Sequence, residues 1–217
     1  MQYRCKIVVA EWLQLALNGL VAVVERTPEG QSSDGRTRRG ARNREAIIGA
    51  LIACYHDALL APSVQEVADR AGVSARSVHN HFVDMEALRT EVADRQWMHV
   101  APLASYLDVE QTVAARVQEL IEQRAAIFEA VSPVRRAALL QLPESPAITA
   151  RLAQADRALR NQINRGFPEI SSDTLDAVDA LTSWDTWNRL RAAQGLSVAR
   201  AKRVLVRTVR ILLEEEL

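Results

Sequence analysis

Apolar residues recur along most of this 217-residue chain at intervals of three and four positions, which is the spacing of one face of an α-helix. Within 42–60, for example, Ile47, Leu51 and Cys54 share one face of a helix. Signals for β-strands are scarce, since no Asn-Gly or Asp-Gly pair separates runs of alternating apolar and polar residues. The pattern therefore predicts an all-α fold.

Interruptions of this pattern divide the chain into three regions. Residues 1–35 hold an extra amphipathic helix at 5–25 and the polar linker "TPEGQSSDG", residues 36–90 form a head of short helices, and residues 91–217 form a larger helical domain. Proline is expected to end the first helix of the head at Pro62 and to begin a new helix at Pro133. The helices are predicted at 42–60, 63–72, 75–81, 84–100, 109–131, 133–142, 146–165, 172–194 and 197–215.

The stretch 63–82 has the signature of two short helices joined by a tight turn. Ser63 and Glu66 form a capping box at the start of the first helix, and Ser74 caps the second. Two helices that cross steeply need a small residue at the contact and a residue that tolerates positive φ in the turn, which Ala68 and Gly72 supply. The segment therefore reads as a helix-turn-helix, whose second helix enters the major groove of double-stranded DNA.

Charge supports a local rather than a global interaction with an anionic partner. Lys+Arg and Asp+Glu both number 27, so the chain has no net charge. Five arginines nevertheless fall within residues 36–44, just before the first helix of the head. Arg38, Arg39 and Arg42 are expected to follow the DNA backbone or to enter a minor groove.

The side chains of the second short helix are the candidates for reading the DNA sequence. Arginine can bind guanine with two hydrogen bonds and asparagine can bind adenine in the same way, so Arg76 and Asn80 are expected to provide most of the base readout. Serine hydroxyls and helix N-termini suit phosphate oxygens. The predicted DNA-binding residues are Arg38, Arg39, Arg42, Ser63, Ser74, Ala75, Arg76, Ser77, His79 and Asn80.

Other classes of function find little support. Cys5 and Cys54 have no CxxC or CxxH neighbour, and no acid/base pair, nucleophile elbow or phosphate loop is evident, so no enzyme, metal or cofactor is expected. The stretch 7–24 is the most apolar, but polar residues interrupt it, so neither a membrane span nor a signal peptide is expected. These observations predict a cytoplasmic protein.

The segment 42–92 resembles the DNA-binding domain of the TetR family of bacterial transcriptional repressors. The resemblance is carried by "AGVS" at 71–74, "HF" at 81–82 and "DMEAL" at 84–88. It implies a three-helix DNA-binding head, a larger helical ligand-binding and dimerisation domain, and a homodimer whose helices 172–194 and 197–215 form a four-helix bundle with their copies. It also implies an unknown small-molecule effector that changes the spacing of the two heads on a pseudo-palindromic operator.

Two positions depart from the family pattern. The family usually has a tyrosine two residues before "HF", where this chain has His79, and a lysine at the start of the fourth helix, where it has Met85. Histidine still donates a hydrogen bond to a phosphate, whereas methionine cannot neutralise one. These departures support an alternative reading, a helical protein-interaction module of the same fold that has lost sequence-specific DNA binding.

Aromatic residues outside the head have two readings each. In the family, the region where the fourth helix leaves the head transmits the ligand signal, so a ligand-lining role competes with core packing for Trp97, Tyr106, Phe128 and Trp184. Trp184 and Trp187 are three residues apart and share a helix face, which suits either the dimer interface or the subunit core. The candidate dimer residues are Trp184, Trp187, Val204 and Thr208.

Overall fold

The computed structural model describes residues 34–143 and 145–216, and these residues contain helices and no β-strand. The all-α prediction is confirmed, while the helix and linker predicted within 1–33 lie outside the described residues. The chain divides into two units between Arg42 and Asn43. The described helices are α1 (Asp34–His56), α2 (Val64–Ala71), α3 (Ala75–His81), α4 (Met85–Val100), a 3-10 turn (Ala101–Leu103), α5 (Val113–Leu139), α6 (Pro146–Gly166), α7 (Ser172–Leu181), α8 (Trp184–Asn188), a π turn (Arg189–Ala193) and α9 (Val198–Glu214).

The first helix ends earlier than its sequence predicts. Ala58 has a φ of 62°, and Leu59 N–H donates to the Cys54 carbonyl at 3.0 Å, so a left-handed residue ends the helix before Pro62 is reached. Left-handed backbone strains any residue with a Cβ. The sequence pattern missed this end because alanine is the strongest helix former and carries no stop signal.

Replacing Ala58 by glycine should therefore stabilise the fold. Relief of the left-handed strain outweighs the extra flexibility of glycine in the unfolded chain, and we expect the free energy of unfolding to rise by about 0.5–1 kcal/mol. Ala46→Gly is the matched control, because Ala46 lies inside α1 with an exposed side chain and should lose about 1 kcal/mol. Urea unfolding followed by circular dichroism measures both, and a loss in both variants would contradict the prediction.

The residues from Asn43 onward bury two clusters of apolar side chains. The head cluster contains side chains from all four helices α1, α2, α3 and α4, together with Val134 and Ala137 of α5. The larger cluster contains side chains from the helices α5 through α9. Helix α4 takes part in both, with Leu88 and Val92 in the head cluster and Val100 in the larger one. The predicted domain boundary at 90/91 falls inside this shared helix and stays a prediction.

Two predictions for the helices of the larger domain are wrong, namely the break between 131 and 133 and the continuous helix at 172–194. The helices predicted at 109–131 and 133–142 are one helix, α5, with Pro133 inside it. Proline in a helix interior costs about 3 kcal/mol because it removes one backbone hydrogen bond and crowds the preceding turn. Phe128, Val134 and Ala137 are buried on both sides of Pro133. Their burial keeps the helix continuous, which local sequence signals do not reveal.

The helix predicted at 172–194 is instead interrupted. Helix α7 ends at Leu181, and the Ser183 hydroxyl accepts a hydrogen bond from Thr186 N–H to cap a new helix, α8. The helix predicted at 197–215 is confirmed as α9, capped by Ser197. None of the described helices combines the length and the apolar run that crossing a membrane would need.

Candidate DNA-binding site

The turn between α2 and α3 has the geometry that the sequence predicts. The Ser63 N–H donates to Glu66 Oε2 at 2.8 Å, and Glu66 N–H donates to the Ser63 hydroxyl at 3.3 Å, which completes the capping box. Gly72 is left-handed, with φ 66° and ψ 32°. Its successor Val73 donates to the Ala68 carbonyl at 3.0 Å, which satisfies the end of α2 and turns the chain sharply.

Helix α3 is held from one side and exposed on the other. The Ser74 hydroxyl accepts from Ser77 N–H at 3.2 Å and opens the helix. Val78 is 2% exposed and packs into the head cluster. Facing away from the core, the side chains of Arg76, His79 and Asn80 are exposed, and those of Ala75 and Ser77 are half-buried. The helix therefore presents donors and acceptors on the face opposite its anchor.

The five arginines that fall within residues 36–44 lie on a helix. Helix α1 begins at Asp34 rather than at residue 42, so Arg38, Arg39 and Arg42 lie on the helix, with exposed side chains. Both predicted roles of these arginines, a contact with the DNA backbone and entry of a side chain into a minor groove, stay predictions.

Arg44, the last of these five arginines, has a structural role. Its Nη2 lies 3.2 Å from the Glu91 carboxylate, and its guanidinium lies over the Phe82 ring at 4.6 Å. Arg95 binds both Glu91 and Glu45, and the hydrogen bond from Arg95 holds the pKa of Glu45 below its usual value. These contacts tie α1 to α4 and to Phe82, the residue that follows α3.

The two positions that depart from the family pattern differ in exposure. His79 is exposed on the outer face of α3, so its imidazole can meet a phosphate. Met85 is half-buried and packs against the head cluster, where it adds apolar contact at the start of α4. At this position the chain therefore has an apolar contact with the head cluster in place of the lysine charge that is usual in the family.

The predicted ligand residues do not converge on one cavity. Trp97 is partly buried against the larger cluster, Tyr106 is 50% exposed, and Phe128 is 1% exposed within the core. Trp184 lines a cleft of about 390 Å³ between Arg135 of α5, the helices α6 and α7, and the start of α8. Of the four candidates, Trp184 alone belongs to the lining of this cleft.

The two tryptophans predicted for the dimer interface lie in the core of their own subunit. Trp184 is 3% and Trp187 is 0% exposed. The Trp184 indole N–H donates to the Ser132 hydroxyl at 3.0 Å, and that of Trp187 donates to Glu129 at 2.9 Å. A partner subunit cannot reach these rings, which corrects the interface assignment in favour of the core alternative.

Val204 and Thr208 stand on the exposed face of α9. Val204 is 39% exposed, and Ile211, two turns further along, is 48% exposed. The three residues form a stripe at the spacing of one helix face. Four exposed arginines flank the stripe, namely Arg200, Arg203, Arg207 and Arg210.

Two buried arginines of α5, Arg116 and Arg124, were missed by sequence reasoning. Arg124, on α5, is 1% exposed, although it carries a charge. A signal was present, because Arg124 lies four residues from both Leu120 and Phe128 and so shares their apolar face. Reading the charged residues inside an apolar stripe, and not the apolar residues alone, would have found it.

Comparison with known proteins supports the predicted family. Residues 58–92 match the sequence profile described as "Bacterial regulatory proteins, tetR family". No curated protein matches the sequence significantly. The matched segment begins in the loop after α1 and ends within α4, so it contains the capped turn and the whole of α3.

Solved structures of similar shape extend the comparison beyond the head. A transcriptional regulator from Rhodococcus sp. Rha1 is 16% identical, with a TM-score of 0.65 over 79% of this chain and 96% of that one. A putative TetR-family regulator from Mesorhizobium loti MAFF303099 is 20% identical, with a TM-score of 0.60 over 81% and 97%. The multidrug binding protein EbrR, solved with imidazole, is 19% identical, with a TM-score of 0.55 over 76% and 91%.

Likeness at such low identity shows a shared fold. The profile match and the fold agree with the resemblance that the sequence indicated, which is thereby confirmed. The chain carries the N-terminal segment of the tetR family of bacterial regulatory proteins on the helical fold of TetR-family transcriptional regulators.

Proposed function

We propose that this protein is a transcriptional repressor that binds a pseudo-palindromic operator as a homodimer and responds to a small-molecule effector. The observation that carries the proposal is the outer face of α3, where Arg76, His79 and Asn80 are exposed while Val78 anchors the helix from behind. A seven-residue helix presented in this way by a tight turn matches the size of the major groove.

Electrophoretic mobility shift with genomic fragments tests DNA binding. The repressor proposal predicts a retarded band for every fragment at low salt. At moderate salt the band should persist only for a fragment that contains the operator. The alternative function, a protein-interaction module, is favoured by Met85, which packs in the head instead of offering a charge to a phosphate. It predicts no salt-sensitive band for any fragment.

The arginines of α1 should contribute affinity without sequence preference. Replacing Arg38 and Arg39 by alanine should weaken binding to every fragment and reduce the slope of log affinity against log salt by about one for each phosphate that is no longer neutralised. Arg157→Ala is the control, because it removes one positive charge, against two in the double variant, from an exposed site on α6. Equal slopes for the double variant and the wild type would reject a phosphate-binding role for these arginines.

The stripe formed by Val204, Thr208 and Ile211 on α9 is the proposed dimer surface. A glutamate at Val204 and at Ile211 would replace apolar contact in the interface by charges that must lose their hydration, so we expect the double variant to be monomeric. Light scattering coupled to gel filtration measures the mass. Leu140→Glu is the control, because Leu140 is 56% exposed and lies at the end of α5 rather than on α9; a dimeric double variant would exclude this face.

The effector response is proposed to reach the head through α4. Gln96 of α4 donates to the Ala130 carbonyl at 3.1 Å, and Ser145 donates to Glu86 at 2.8 Å, so both ends of α4 are bonded to the larger domain. A movement of Ala130 or Ser145 would therefore move α4. It would also move α3, whose Val78 shares the head cluster with Leu88 and Val92 of α4. The structural likeness to EbrR, which was solved with imidazole, supports a small molecule as the effector.

A further inference from the structure

Opposite charges are concentrated on different helices of the larger domain. Helix α9 carries five basic residues and one acid, whereas the segment 172–188, which contains α7 and α8, carries four acids and no basic residue. The basic residues of α9 are Arg200, Lys202, Arg203, Arg207 and Arg210, and the four acids, which we call the acidic surface, are Asp173, Asp176, Asp179 and Asp185. A chain without net charge thus has one strongly basic and one strongly acidic segment.

These opposite charges are not paired with each other inside the subunit. Within the residues that the structure describes, α9 forms ion pairs with α5 and within itself, α7 forms them with α6, and none joins α9 to α7 or α8. Arg200, Arg203 and Arg207 are exposed and form no ion pair in this part of the chain, and the same holds for Asp173 and Asp185. Complementary charges therefore remain available for another molecule.

A groove runs beside the three unpaired arginines. It has a volume of about 880 Å³ and lies between α5 and α9, with these arginines and the apolar Val204 and Ile211 in its lining. A partner that covers the apolar stripe must also bring carboxylates, because a charge that leaves water without a counter-charge is strongly unfavourable. A second α9 helix does not meet this requirement, since it would set the arginines of both copies against each other.

We propose that, in the homodimer, the exposed face of α9 in one subunit packs against the acidic surface of α7 and α8 in its partner. A second copy of the chain fits this role, because a two-fold interface contains each contact twice and each subunit supplies both a basic and an acidic surface. The charge pairs between subunits fix which surface the apolar stripe covers. The inference rests on the homodimer of the proposed function, and it adds the surface that α9 meets.

The dimer should weaken as the salt concentration rises. Exposed charges are screened beyond about 10 Å at 0.1 M salt and beyond about 3 Å at 1 M. Each exposed pair contributes little by itself, but the two-fold axis doubles every pair. We expect the dimer Kd to rise about tenfold between roughly 0.05 and 0.5 M NaCl, measured by sedimentation equilibrium. A Kd that does not rise with NaCl would show that apolar contacts alone hold the dimer.

Two charge-reversed variants test the pairing directly. The first carries Arg203→Glu and Arg207→Glu, and the second carries Asp173→Lys and Asp185→Lys. All four residues are exposed and form no ion pair within the described part of the subunit, so the reversals leave its internal ion pairs in place. Each variant alone would oppose like charges in both halves of the interface, and we expect each to be monomeric at a concentration at which the wild type is dimeric.

An equimolar mixture of the two variants should restore the dimer. In the mixed dimer, the glutamates of the first variant meet the lysines of the second, and the arginines of the second meet the aspartates of the first. Native mass spectrometry distinguishes this heterodimer from either homodimer. Asp173 and Asp185 lie in the first turns of α7 and α8, where lysine is slightly unfavourable, so circular dichroism at the assay temperature checks that each variant is folded.

Arg157→Glu is the control, because it reverses one charge at an exposed site on α6, outside both surfaces. It should remain dimeric. A dimeric D173K/D185K variant, or a mixture that stays monomeric, would overturn the proposal. An R203E/R207E variant that stays dimeric but no longer retards DNA would assign the arginines to phosphate binding instead. A dimeric wild type with dimeric variants rejects this pairing alone, whereas a monomeric wild type rejects the homodimer of the proposed function as well.

Discussion

Replacement of Arg76 by alanine should weaken operator binding by about 1–3 kcal/mol for each subunit, and so by about 2–6 kcal/mol for a dimer that uses both copies. The physical reason is the position of Arg76 on the exposed face of α3, where a guanidinium can donate two parallel hydrogen bonds to one guanine. Discrimination at that base pair should disappear, while affinity for unrelated DNA changes little. Titration of operator variants at fixed salt measures both quantities.

Arg76→Lys is the sharper control, because lysine keeps the charge and loses the planar fork. We expect it to keep most of the salt-dependent affinity and to lose the preference at a single base pair. Since Arg76 is exposed, neither variant should change the thermal stability of the protein. Operator affinity that stays unchanged in R76A would show that α3 is not the helix that reads the sequence.

Replacement of Trp187 by alanine should lower the free energy of unfolding by about 3–5 kcal/mol. The Trp187 ring is 0% exposed, and its centroid lies 6.5 Å from the centroid of the Phe128 ring. Its indole N–H donates to Glu129, which also binds Arg191, and the hydrogen bond from Arg191 holds the pKa of Glu129 below its usual value. Truncation would leave a cavity and remove one partner of a partly buried carboxylate. Urea unfolding measures the loss.

Trp187→Phe separates the two contributions, because phenylalanine keeps an aromatic ring in the core and removes the N–H donor. We expect it to lose about 1–2 kcal/mol. A role for Trp187 at the dimer interface would predict the opposite pattern, in which W187A stays well folded and dissociates into monomers. Light scattering at a fixed protein concentration tells the two apart.

The helix-turn-helix was predictable because its determinants are local. A serine with a glutamate three residues later, a glycine at the turn, and a second serine each act on backbone groups within a few residues. The structure confirms the caps at Ser63 and Ser74 and the left-handed Gly72. The exposed side of α3 then follows from burial of Val78, because residues that flank an anchor on a helix face outward.

The errors occurred where distant residues decide the outcome. A proline predicts a helix boundary at 133, but the apolar partners of Phe128 and Val134 keep α5 continuous. The tryptophans of α8 share a face in either reading, and only the position of α5 beside them places both rings in the core. Helical periodicity identifies an apolar face without identifying what covers it.

The amino-acid sequence by itself determined the all-α class, the capped turn at 63–82 and the identity of the side chains that α3 presents, since each depends on hydrogen bonds and backbone preferences among near neighbours. Tertiary structure decided which aromatic rings are internal, where Pro133 is tolerated, and that Arg124 is buried with donors that have no partner among the described residues. These properties depend on how α5, α6 and α8 pack. Packing joins residues far apart in the chain, and short-range patterns carry little information about it.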